Sequence, residues 1–193
     1  DPDLYPNIDW QDVILNPNSF QQTYYVSAQG GSSVARYFAS LGMSKESAAY
    51  NPSQDSKYNK GVGYDTYNYR LNLDIDLTKT TKVYIGTTGY MSVNTRPSMG
   101  EYSRGVSLTD WLWSSQAKTT PISYPLRYSN GYYPAAGTKD EISPYVLLNY
   151  TGNAREQNTR NLVTLGITQD LSMITKGLSA KVQGSWDTQS LFG

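Results

Sequence analysis

Residues 67–77 alternate apolar and polar side chains without a break. Because successive side chains of a β-strand point to opposite faces of the sheet, this period of two predicts a strand with one apolar and one polar face. The apolar set is Tyr67, Tyr69, Leu71, Leu73, Ile75 and Leu77, and the polar set is Asn68, Arg70, Asn72, Asp74 and Asp76. Such a strand suits a boundary between lipid and a water-filled lumen, and it also suits a soluble sandwich. The environment of the apolar face therefore decides the class of protein.

Strand-like patterns recur along the whole chain, in segments of about ten residues. They cover residues 21–29, 34–43, 67–77, 82–93, 161–171 and 178–188. Short hairpin-length connections alternate with two long ones at about 44–66 and 94–160. Short turns on one side and long loops on the other are typical of outer-membrane barrels, whose long loops are extracellular. We therefore predict one all-β domain over 1–193, an antiparallel transmembrane β-barrel segment of about six strands with long extracellular loops.

The charged residues of these strands should lie on the lumen side of such a barrel. A Lys or Arg on the lipid face near the bilayer midplane costs about 2–4 kcal/mol, and an acidic residue costs less. We therefore expect inward-facing side chains at Arg70, Asp74, Asp76 and Lys181. The segment 34–43 is ambiguous, because Arg36 and Phe38 share one face while Tyr37 and Leu41 share the other.

The long connection 94–160 combines a possible helix with many aromatic residues. Residues 107–118 could form a short loop helix capped by Ser107 or Thr109. Beyond it, four prolines up to Pro144 should fix turns and exclude a long regular element. Flat rings could stack on a sugar, pack on a peptide, contact a partner protein, or form a small core of the loop itself. The candidate binding residues are Trp111, Trp113, Tyr124, Tyr128, Tyr132 and Tyr133.

Composition argues against several other functions. The 16 basic residues balance the 16 acidic ones, so the chain lacks the basic surface that nucleic acid requires. Without Cys or His, it lacks thiolate nucleophiles, the commonest general base and the commonest metal ligands. We predict no catalytic residues, no metal site and no cofactor. The acidic residues near the N-terminus are interpreted as turn and cap residues; they are Asp1, Asp3, Asp9 and Asp12.

Several motifs, in order, resemble signatures of one transporter family. YPNIDWQD at 5–12, VSAQGGS at 26–32 and RYFASLG at 36–42 are followed by YNYRLNLD at 67–74 with LTKT at 77–80, and by the stretches at 120–125 and 130–133. Together they resemble the SusC/RagA family of TonB-dependent outer-membrane transporters.

The resemblance implies a location in the bacterial outer membrane, surrounded by lipid, and a part in the uptake of oligosaccharides or, less often, peptides. It also implies a SusD-like surface lipoprotein as partner. Residues 1–193 show neither the TonB-contacting box nor the plug of the family, so contact with TonB would use regions absent from this chain. We expect an internal barrel segment of a longer protein. The alternative is a soluble β-sandwich that binds carbohydrate through its aromatic loop.

Overall fold

The computed structural model describes residues 1–53, 62–98, 118–134 and 143–193. Within these ranges lie the six strands β1 to β6 and the helices α1 and α2. The strands are Gln21–Gly31, Ala35–Ser47, Gly63–Asp76, Thr81–Pro97, Asn153–Asp170 and Ser179–Phe192. The helices are α1 at Trp10–Ile14 and α2 at Pro144–Tyr150. Neither is long enough to cross a membrane, and no helix in the described ranges has both the length and the hydrophobicity to do so.

All six strands lie side by side in one antiparallel sheet, in the order in which they occur along the chain. The predicted all-β class is confirmed, and each predicted strand segment corresponds to one observed strand. All six strands are longer than predicted, and β5 begins eight residues earlier than the predicted start at residue 161.

The helices differ from the sequence prediction. The predicted helix at 107–118 lies, except for Lys118, outside the described residues. Pro144 was expected to help fix turns and exclude a long regular element, and it occupies the first turn of α2, which is only seven residues long. Proline is favoured there because its fixed φ suits a helix and its missing N–H has no intrahelical partner at that position.

The described residues divide into two compact units. The sheet unit consists of Gln21–Lys45, Asp65–Val93 and Glu156–Gly193, and the loop unit consists of Asp1–Phe20, Glu46–Tyr64 and Asn94–Arg155.

In the sheet unit, the pairing of β5 with β6 separates apolar from polar side chains. Val163 pairs with Trp186 and Ile167 pairs with Val182, whereas Thr164 pairs with Ser185 and Thr168 with Lys181. Side chains that are directly opposite in an antiparallel pair lie on the same face. The apolar face thus carries Leu165 and its neighbours, and the polar face carries the hydroxyl and charged groups.

An ion-pair cluster on the polar face resolves the ambiguity of β2. Asp76 of β3 lies 4.0 Å from the Arg36 guanidinium and 3.8 Å from the Lys82 ammonium. Arg36 is therefore on the polar face, and Tyr37 and Leu41 are on the apolar face. Asp74 and Lys181 line the same polar cavity as these three residues. The four residues expected to point inward lie on the polar side, Arg70 by its place in the alternation of β3.

The apolar face of the sheet unit is exposed. Leu165 is 50% exposed, Val182 is 76% exposed and Trp186 is 72% exposed. All strands of the described ranges belong to the same sheet. No second sheet in that part of the chain is available to cover the face, as the sandwich alternative requires.

The loop unit has its own small apolar core. Trp10 and Ile14 of α1 pack with Leu148 of α2, and each of the three is at most 4% exposed. Asp9 caps α1 by accepting hydrogen bonds from the backbone N–H groups of Gln11 and Asp12. This is the cap role that its position in the sequence predicts.

A buried amide ties a third segment of the chain to this core. The Asn149 side chain is fully buried; its oxygen accepts the Ser53 N–H at 2.7 Å and its nitrogen donates to the Tyr145 carbonyl at 3.0 Å. The loop unit is thus built by segments that are distant in sequence.

Candidate functional site

The structure places the predicted aromatic binding residues in different surroundings. Trp111 and Trp113 lie outside the described residues. Tyr124 packs edge-on against the Trp10 ring, with the ring centroids 5.2 Å apart, and its hydroxyl lies 3.1 Å from the Thr119 hydroxyl. Because Trp10 is a core residue, Tyr124 belongs to the core of the loop unit.

Tyr133 belongs to a cluster of three tyrosines. Its ring centroid lies 4.5 Å from that of Tyr150 and 6.0 Å from that of Tyr145. The Tyr150 hydroxyl donates to the Tyr133 hydroxyl oxygen at 2.5 Å. Burial and this hydrogen bond raise the pKa of Tyr150 above its ordinary value, so the phenol stays neutral. The Arg127 guanidinium lies over the Tyr133 ring, 5.5 Å from its centroid, in a cation–π contact.

Tyr128 and Tyr132 flank a tight turn. The Gly131 N–H donates to the Tyr128 carbonyl at 2.8 Å, and the Tyr128 N–H donates to the Tyr132 carbonyl at 2.9 Å. Gly131 has a φ of 91°, which a glycine adopts without steric cost. Tyr132 is 72% exposed, which makes its ring the most accessible of the four described candidates.

The N-terminal segment holds this turn in place. The Asp3 carboxylate accepts the Ser129 N–H at 3.0 Å and also the Ser129 hydroxyl proton. The Arg127 side chain donates to the Gly131 carbonyl at 2.9 Å. Hydrogen bonds therefore hold the backbone before and after the exposed Tyr132 ring. If this ring contacts a ligand, little conformational entropy of the backbone would be lost on binding.

A cavity of about 310 Å³ in the loop unit was not predicted from the sequence. Its lining includes an acidic, a basic, an amide and two phenolic side chains, which are Glu46, Arg96, Asn94, Tyr50 and Tyr64. Tyr64 has the parity of the polar residues of the 67–77 pattern. Extending the alternation three residues towards the N-terminus would have placed it beside them.

A second, larger cavity of about 610 Å³ lies on the sheet unit and is mainly apolar. The Tyr69 ring crosses Gly89 of β4, and its hydroxyl donates to the Asn161 side-chain oxygen on β5 at 3.2 Å. Leu41, Met43 and Met91 also line this cavity, together with the tyrosine rings at positions 24, 25, 67 and 90.

In the described residues, these features define an all-β fold in which six long antiparallel strands form a meander. The sheet has a polar face and an apolar face, and a loop unit has its own core. Among solved structures, the chain is similar to a chain of the RagAB peptide importer in the "closed-closed" state, with a TM-score of 0.62 and 19% sequence identity. The match covers 98% of this chain and 20% of that chain, so the present chain spans about a fifth of the length of its structural neighbour.

At this identity the similarity establishes a related fold. No protein-family model matches the sequence, and no curated protein matches it.

Proposed function

We propose that this chain forms part of the barrel wall of a TonB-dependent importer in the bacterial outer membrane. The main support for the proposal is the exposed apolar face of the sheet unit. The opposite face of the same sheet has ion pairs. The strands are 11 to 18 residues long, and about 9–11 residues suffice for a tilted strand to cross the hydrocarbon core. In water the same apolar face would favour aggregation, whereas in a membrane it would contact the hydrocarbon chains of the lipid.

The proposed cargo is an oligosaccharide or a peptide, captured together with a SusD-like surface lipoprotein. The sequence resemblance to SusC/RagA transporters supports both cargo classes, and the structural neighbour is a peptide importer. The loop residues proposed to contact cargo or lipoprotein are Trp111, Trp113, Tyr128, Tyr132 and Tyr133. The proposal assigns the chain no catalytic activity, no cofactor and no contact with nucleic acid, and it leaves TonB to other regions of the transporter.

Site-directed spin labelling tests whether the apolar face meets lipid. The chain contains no Cys, so Leu165→Cys and Thr164→Cys each introduce a single label site within it. These neighbours on β5 lie on opposite faces and form a matched pair. The complete protein would be reconstituted in liposomes, and collision of each label with oxygen and with a water-soluble nickel chelate would be measured.

We expect the label at residue 165 to collide mainly with oxygen, which concentrates in lipid, and the label at residue 164 to collide mainly with the nickel chelate. Two labels with the same preference would contradict the lipid assignment. A label at residue 165 that neither reagent reaches would indicate a protein-covered face instead.

A further inference from the structure

The 310 Å³ cavity of the loop unit combines opposite charges with aromatic rings. Glu46 and Arg96 line it together with Tyr50, Tyr64 and Asn94. A carboxylate accepts hydrogen bonds and a guanidinium donates them, so the two side chains offer complementary ionic contacts. A cavity of this size matches the lower end of small-ligand sites.

The strand register explains why these side chains share one cavity. The Asp76 N–H of β3 donates to the carbonyl of Val34, just before β2, at 2.7 Å, so counting along these antiparallel strands places Glu46 opposite Tyr64. The Tyr69 ring of β3 lies where a Cβ atom of Gly89 on β4 would be, so Tyr69 and Gly89 share one face. By the alternation of the two strands, Tyr64, Asn94 and Arg96 share the other face.

The resulting row extends across three strands, with a negative group at one end. Two strand spacings of about 4.8 Å separate the backbones of Glu46 and Asn94, and Arg96 lies about 6.8 Å further along β4. The two charged residues are thus roughly 12 Å apart at the backbone, with a tyrosine ring between them. Three extended residues of a peptide span roughly 10 Å.

We infer that this cavity binds a short zwitterionic peptide segment, with Glu46 at its amino group, Arg96 at its carboxylate and the Tyr64 ring along its backbone. The inference rests on the proposed function, which supplies the reason for a ligand at the loop side of the strands. It adds to the proposed function one binding site and the residues that contact the ligand there. A neutral oligosaccharide could also stack on the tyrosines, but it would not need the two opposite charges.

Peptides with one blocked end test the contact at the amino group and the contact at the carboxylate one at a time. The probes are the tripeptide Ala-Tyr-Ala with free ends, its N-acetylated form and its C-terminal amide, titrated by calorimetry into the complete protein in detergent. Because each contact is solvent-exposed, we expect the free tripeptide to bind about three- to fivefold more tightly than either blocked form.

The variants assign each preference to a residue. Glu46→Gln should abolish the discrimination against the N-acetylated peptide and keep that against the amide, and Arg96→Gln should do the reverse. Lys45→Gln is the control, because its alternation in β2 directs it to the opposite face from Glu46. Thermal unfolding of each variant in detergent should match that of the unaltered protein.

The inference is overturned if both variants keep both preferences, if each variant weakens all three peptides equally, or if the free tripeptide does not bind. It is also overturned if the neutral trisaccharide maltotriose binds in its place. These titrations need no membrane, so their failure is distinguishable from a failure of the lipid assignment, which the spin labels test.

Discussion

At the scale of single residues, Gly89 makes room for the Tyr69 ring in the 610 Å³ cavity of the sheet unit. The Tyr69 ring lies where a side chain at residue 89 would be, and the Tyr69 hydroxyl reaches Asn161 on the far side of β4. A larger residue at this position would displace the ring and break that hydrogen bond.

Gly89→Ala should therefore lower the free energy of unfolding by about 1–3 kcal/mol, the usual range for overpacking. Gly184→Ala is the matched control, because it is also a strand glycine and a Cβ atom there would meet nothing within 4 Å. Urea unfolding of the complete protein in detergent, followed by tryptophan fluorescence, measures both. Equal stability of the two variants would show that the Tyr69 ring moves aside at no cost.

At the scale of elements, strand-like segments and the short turns between them located the six strands of the described residues, but not the ends of those strands. The start of β5 at residues 153–160 reads Asn-Ala-Arg-Glu-Gln-Asn-Thr-Arg, which contains one apolar residue and hence no period of two. Backbone pairing with neighbouring strands extends β5 there without help from a hydrophobic face. The ambiguous β2 likewise required an ion pair between strands, which a one-dimensional pattern does not contain.

The helices of the loop unit were missed for different reasons. The five residues of α1 are too few to display a helical period, although Asp9 before them is a recognisable cap. At α2, Pro144 was interpreted only as a residue that fixes turns and excludes a long regular element, and its second role, the first turn of a short helix, was not considered. The cavity with Glu46 and Arg96 was missed because Glu46, Tyr64 and Arg96 lie on three different strands, and a one-dimensional pattern does not show which strand residues are neighbours.

The core of the loop unit depends on α1. Trp10 is 4% exposed and its indole N–H donates to the Thr120 carbonyl at 3.1 Å. Trp10→Ala removes this bond and leaves a large void, so we expect a loss of about 3–5 kcal/mol in the stability of the loop unit.

Hydrogen exchange with mass spectrometry provides the measurement for Trp10→Ala. Faster exchange is expected in α1, in residues 118–134 and in α2, while β6 keeps its protection. Leu4→Ala, which alters a 70% exposed side chain of the same segment, should leave exchange unchanged. Faster exchange throughout the chain in Trp10→Ala would contradict a core that stabilises the loop unit alone.

At the scale of the whole molecule, the two faces of the sheet should respond oppositely to the same added charge. Leu165 and Thr164 are neighbours on β5, so arginine at either position has the same sequence context and the same strand. On the lipid side, Leu165→Arg should cost about 2–4 kcal/mol if it lies near the bilayer midplane. On the polar side, Thr164→Arg adds a guanidinium to the face that already has the Arg160–Asp187 ion pair. We therefore expect Thr164→Arg to change the stability of the protein very little.

We therefore expect Leu165→Arg to reduce the folded fraction in liposomes at intermediate urea and the amount of protein in the outer-membrane fraction, with Thr164→Arg close to the unaltered protein on both measures. The reverse order would place water on the face that carries Leu165 and would exclude the proposed orientation of the sheet. Equal tolerance of both arginines would mean that neither face meets hydrocarbon, because only a lipid or protein interior penalises a buried guanidinium so strongly.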